Sequence, residues 1–173
     1  TLEVSLKNEF LPFLYPNQYV NFTPDSESSK LALSIVSEDT SDVDALTAIY
    51  NYVVRNLTYD YDLADNVEAG YLPDVDATLA QKKGICFDYA ALTTAMLRAR
   101  DIPCKLQIGY AGTVKHAWIT VYIRSKGWVD KGVEFSGDSW SRMDPTFDSN
   151  SQDEETIQQY IGDDDNYSVQ FTR

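Results

Sequence analysis

A chain of 173 residues can bury one sizeable core but hardly two, and its 43% hydrophobic and 24% charged content excludes wholesale disorder and a fibrous repeat. With 27 acidic against 14 basic residues the net charge is -13, which disfavours a nucleic-acid phosphate backbone or an anionic membrane surface as partner. No apolar run approaches the roughly 20 residues needed to span a bilayer, and oligomeric state is encoded in no visible pattern. The chain starts at Thr1 rather than Met, which suggests a processed product of an exported or surface-attached parent.

Residues 1 to 30 mix the apolar cluster FLPFLYPNQYV with Pro12, Pro16, Pro24 and a polar PDSESSK tail. This predicts an irregular segment, residues 1 to 40, that leans on or leads into a single domain over 41 to 173. LALSIV, residues 31 to 36, reads as a short strand. From Ser41, a good N-cap, the positions Val43, Leu46, Tyr50, Val53 and Leu57 recur at helical spacing and predict an amphipathic helix ending near Asn56. YDYDLADNVEAGYLPDVD carries five aspartates, a glycine and a proline, so a surface loop is expected there. Asp76 to Lys82 should form a short helix stopping at Gly84.

Residues 86 to 100 lack Pro and Gly, are rich in Ala, Leu and Met, and predict a helix closed by Ile102-Pro103. The period then changes to two: CKLQIGYA, HAWITVYI, GWVDKGVEF and SWSRMDPTF read as strands. The last stretch holds a helical turn at Glu155 to Ile161, an acidic Asp163 to Asp165 run and a terminal strand, YSVQF. Helices followed by an antiparallel meander define an α+β class.

Two cysteines, Cys86 and Cys104, argue against a disulfide framework while leaving one bridge open, and a single histidine without CxxC argues against a zinc site. No metal or cofactor is expected. If the helix opens at Cys86, the unpaired N–H groups of its first turn and the helix dipole favour a thiolate there. A cysteine nucleophile needs a base, and His116 is the sole imidazole. On its strand His116, Trp118, Thr120 and Tyr122 share one face. The imidazole needs an orienting acceptor, and Asp144, on one face with Trp140 and Arg142 ahead of Pro145, is the best placed. Taken singly these residues have plain structural readings: a lone cysteine is usually a buried small hydrophobe, which fits Cys104, a lone strand histidine is usually structural, and Asp-Pro usually marks a turn.

Their order changes the weighing. GICFDYAALTTAMLRARDIPCKLQIGY, then HAWITVYI, then SWSRMDPTF resembles the transglutaminase-like superfamily of papain-type fold over about residues 41 to 148. The resemblance implies a Cys-bearing helix packed on an antiparallel sheet, with Cys86 the nucleophile, His116 the general base and acid, and Asp144 its orienting group. It also implies that the Cys86 N–H contributes to an oxyanion hole, with Tyr59 an aromatic near it. Trp118 stands where it would shield the catalytic pair from water. The departures are Asp101, where the family commonly has glycine, and a longer segment between His116 and Asp144, the insertion 124 to 137.

The implied activity is acyl transfer on protein or peptide amides through an acyl-thioester: a peptidase or deamidase if water resolves it, a transglutaminase if an amine does. The alternative is a non-catalytic protein- or peptide-binding module on the same fold. A calcium site in YDYDLADN or the Asp163 to Asp165 run lacks EF-hand spacing.

Overall fold

The computed structural model describes residues 8–129 and 167–173. The expected strand SWSRMDPTF with Asp144, the helical turn at Glu155 and the Asp163 to Asp165 run lie outside the described residues, as does most of the 124 to 137 insertion. After a 3-10 turn at Leu11–Phe13 come α1 (Glu27–Ile35), α2 (Asp42–Asn56), β1 (Thr58–Tyr59), α3 (Tyr61–Asn66), α4 (Val75–Gln81), β2 (Lys83–Gly84) and α5 (Cys86–Arg98). Four strands follow, β3 (Cys104–Ala111), β4 (Val114–Ile123), β5 (Gly127–Val129) and β6 (Tyr167–Thr172).

Helix α5 is the axis of the molecule. Every residue from Asp88 to Arg98 is buried, because α1, α2 and α4 pack against it from one side and β3 and β4 from the other. A helix enclosed in this way is mostly apolar around its circumference, as Ala90, Ala91, Leu92, Ala95, Met96 and Leu97 make it, and its buried polar side chains Asp88, Thr93, Thr94 and Arg98 are hydrogen-bonded. Cys104 is fully buried, as expected of a core cysteine, and burial pushes its thiol up to about 11.

Strand order is β5-β4-β3-β6, with all pairs antiparallel. The terminal strand therefore returns to the far side of β3, where the expected meander would have continued outward from β4. In β4 Ala117, Ile119, Val121 and Ile123 alternate into the main core, and β3 is registered so that Gly109 lies opposite His116. On the other face the N-terminal segment packs through rings: Phe10 lies 4.5 Å from Tyr122, and Phe13 meets Trp128 edge-on at 5.3 Å. Lys105 places its ammonium 3.7 Å from the Trp128 ring centroid, a cation–π contact that closes this layer.

Helix α2 begins and ends where its pattern predicts, with the Ser41 hydroxyl accepting the Asp44 N–H at 3.2 Å. Three expectations are corrected. LALSIV is the second half of α1 and not a strand, because the buried face of that helix runs Ser28, Ser29, Ala32 and Val36, and half of it is polar in sequence. Those serines are satisfied: the Ser28 hydroxyl donates to Asp76 and the Ser29 hydroxyl to the Thr23 carbonyl, both at 2.7 Å. The acidic loop opens on the last residue of β1 and contains α3, capped by Asp60, which accepts the Leu63 N–H at 3.0 Å. Helix α4 is stopped by Lys82, which takes a left-handed conformation (φ 53°), while Gly84 serves β2 instead.

The end of α5 explains the Asp101 departure. The Ile102 N–H donates to the Leu97 carbonyl at 3.1 Å and the Asp101 N–H to the Arg98 carbonyl at 3.0 Å, a Schellman closure. Asp101 carries its left-handed residue (φ 56°), a place glycine fills most readily and Asp tolerates.

Candidate active site at the start of the buried helix

The short strands β1 and β2 run parallel, with Tyr59 registered on Gly84, and the Asp60 N–H donates to the Gly84 carbonyl at 2.9 Å. The chain leaving α2 thus clamps the chain entering α5. Lys83 bridges to Asp60 at 2.9 Å on the exposed side of this clamp. Two residues after Gly84, Cys86 opens α5, half-buried, with Ile85 as an extended N-cap.

Isoleucine has no side-chain acceptor, so the cap is made from inside the helix. Asp88, at the third helical position, accepts the Ile85 N–H at 2.8 Å, while the Asp88 and Tyr89 N–H groups both donate to the Ile85 carbonyl. The N–H groups of Cys86 and Phe87 are bonded to no group among the described residues. They are orphan donors of a helix start, beside the thiol. Gly84 is needed for a reason the sequence did not show: a Cβ there would sit 2.6 Å from Asp88 Cβ. Its close approach is to the capping side chain.

His116 lies near the start of β4, which packs against α5, so the helix opening with Cys86 and the strand carrying His116 are neighbours. The imidazole is 7% exposed. Trp118 stacks with it at 6.4 Å between ring centroids, and Tyr167 of β6 stands 6.5 Å away. Trp118 is itself 1% exposed and meets Tyr167 edge-on at 5.1 Å. These rings cover one side of the imidazole, and Gly109 across the ladder leaves room for them: a Cβ there would collide with the Ser168 carbonyl and come within 3.0 Å of Trp118.

Of the five residues singled out in the sequence, Tyr59 is thus beside the segment leading to Cys86, 5.0 Å from the Tyr61 ring, and Trp118 is beside His116. Asp144 lies outside the described residues. The sequence reading missed Asp88 and Tyr71, whose hydroxyl donates to Asp88 at 2.7 Å. An aspartate three residues after a helix N-cap was the available signal, since that position commonly closes a capping box. No group of three or more His, Cys, Asp or Glu side chains suited to a metal occurs among the described residues.

A cysteine at the start of a buried helix, packed on an antiparallel sheet whose second strand carries the single histidine, defines a papain-type α+β domain. Residues 29–145 match the model of the transglutaminase-like superfamily, and the chain belongs to that superfamily, whose members generally use cysteine-based catalysis. Several solved structures share the fold, and two illustrate it. One is a candidate cysteine protease from Cytophaga hutchinsonii, at 24% identity and a TM-score of 0.57 over 82% of this chain and 43% of that one. The other is the periplasmic domain of TgpA from Pseudomonas aeruginosa, at 19% identity and a TM-score of 0.57 over 82% of this chain and 50% of that one. A curated relative, UPF0252 protein MJ1282 from Methanocaldococcus jannaschii, is 35% identical over 71 residues, 38% of this chain and 20% of its own length. The chain therefore spans half or less of each of these relatives.

Proposed function

We propose that this domain is a cysteine-dependent acyl-transfer enzyme acting on protein or peptide amides, with Cys86 as nucleophile, His116 as general base and acid, and Asp144 orienting the imidazole. The observation that carries this reading is the contrast between the two cysteines. Cys86 is half-open at the start of a thirteen-residue helix beside orphan N–H groups, whereas Cys104 is sealed in the core.

In the proposed cycle His116 takes the Cys86 proton and the thiolate adds to the amide carbon. The resulting oxyanion is met by preorganised donors, of which the Cys86 N–H is the first candidate and Tyr59 the second. Collapse expels the amine, which His116 protonates, and leaves an acyl-thioester. Water then regenerates the thiol and gives a peptidase or deamidase, or an amine does so and gives a transglutaminase. The net charge of -13 favours neutral or basic substrates over acidic ones. Trp118 keeps water from the imidazole side of the pair.

The single histidine makes a clean test. Its ring signals can be followed by NMR against pH in the native protein and in Cys86→Ala. A thiolate partner stabilises the imidazolium, so the native ring should release its proton at a pH higher by about one unit or more than in the variant. Superimposable titrations would remove the ion pair and leave the peptide-binding module in its place.

A further inference from the structure

The chemistry proposed above leaves unused a buried carboxylate in the same helical turn as Cys86. Asp88 is 1% exposed, yet both its oxygens are taken, and by separate parts of the chain. One accepts the Ile85 N–H at 2.8 Å; the other accepts the Tyr71 hydroxyl at 2.7 Å, from the loop that precedes α4. Gly84 closes against its Cβ. The Tyr71 ring also lies 6.5 Å from Phe87, the residue after Cys86, at 64° between planes. Strand β2, the N-cap, the first turn of α5 and the Tyr71 loop therefore converge on one side chain.

Its electrostatics are those of a confined anion. Burial pushes the Asp88 carboxyl above the usual carboxylate range, the bonds from Ile85 and Tyr71 oppose that, and the charge of Asp60 adds to it. Asp60 is itself paired with Lys83. Burial first, and then the hydrogen bond to Asp88, drive the Tyr71 hydroxyl well above its ordinary range, so it stays a neutral donor.

We propose that Asp88 is a positioning residue for Cys86, fixing the turn from which the thiol projects, and that the Tyr71 hydroxyl draws part of the Asp88 charge away from the thiolate. This rests on the reading of Cys86 as nucleophile. An anion at the third position of a helix competes with a thiolate at the first for the same positive helix end. Removing the charge therefore favours the thiolate, while removing the donor concentrates the charge and disfavours it. The two effects have opposite signs.

The test is the pH profile of Cys86 alkylation by iodoacetamide in the native protein, Asp88→Asn, Tyr71→Phe and His116→Ala, each with a thermal unfolding curve. Asp88→Asn should move the midpoint down by about half a pH unit, and Tyr71→Phe should move it up by a similar amount. A purely structural pair would lower the unfolding temperature in both variants and shift the midpoint in the same direction or not at all, which overturns the proposal. Tyr71→Phe removes one hydroxyl from a half-buried ring, so its upward shift is decisive by itself should Asp88→Asn not fold. A native midpoint at an ordinary thiol value, unmoved by His116→Ala, overturns the nucleophile reading and this inference together. A depressed native midpoint that responds to His116→Ala but to neither other variant overturns this inference alone.

Discussion

Cys86→Ala is expected to lower turnover of any amide the protein processes by at least about 1,000-fold while leaving the fold in place. A methyl group offers no electron pair for the amide carbon, so the thioester route is lost outright. The remaining parts of the site, the orphan N–H groups at the helix start and the covered imidazole, can bind and polarise but cannot form the intermediate. The structural cost should be small. The side chain is half-buried and short, the helix start is held by Asp88, and the clamp between β1 and β2 is backbone. We expect a stability change within about 1 kcal/mol. Cys86→Ser should behave similarly, because a hydroxyl is far harder to ionise beside the same groups. Initial rates with and without a primary amine, set beside unfolding curves, separate loss of chemistry from loss of fold.

Arg98→Met is expected to remove about 3 kcal/mol of stability, a fall of roughly 10 °C in unfolding temperature for a domain of this size. Arg98 is 2% exposed at the last turn of α5, and its guanidinium is solvated entirely by carbonyls. Nε and one terminal nitrogen donate to Cys104 at 3.0 and 2.8 Å, the other terminal nitrogen donates to Tyr15 at 2.8 Å, and a fourth bond reaches Arg173 at 3.0 Å. One side chain thus ties the N-terminal segment, the start of β3 and the end of the chain to the central helix. Methionine fills much of the volume but donates nothing, leaving carbonyls at the site without their donor. Arg98→Lys should recover less than half of the loss, since a single ammonium cannot serve three carbonyls in different directions. Urea unfolding of the three proteins gives the ranking directly.

These two residues also mark what the sequence could and could not convey. The opening of a helix at Cys86 was legible because its signals are local: no helix breaker after it and a glycine shortly before it. Helix α2 was legible for the same reason, its capping serine and apolar stripe lying within one continuous stretch. Arg98 gave no sign of its role, because two of the three carbonyls it serves, Tyr15 and Arg173, are far from it in sequence. Helix α1 was misread because its buried face includes Ser28 and Ser29, whose partners Asp76 and Thr23 no window around them contains. The stop at Lys82 defied the glycine rule because β2 needed Gly84 beside Asp88. The return of β6 to β3 is a tertiary choice, a pairing between segments far apart in sequence. Asp88 stood in plain view in GICFDYA, but its burial and its bond to Tyr71 belong to the folded loop.

The most direct measurement is the pH dependence of alkylation at Cys86, mapped by peptide mass, in the native protein and in His116→Ala. The account predicts rapid labelling of Cys86 well below the ordinary thiol value of about 8.5, lost in His116→Ala. Cys104, whose thiol burial holds at about 11, should be labelled only after unfolding. Slow labelling of Cys86 with an ordinary profile, the same in both proteins, would contradict a cysteine–histidine pair and with it the acyl-transfer reading.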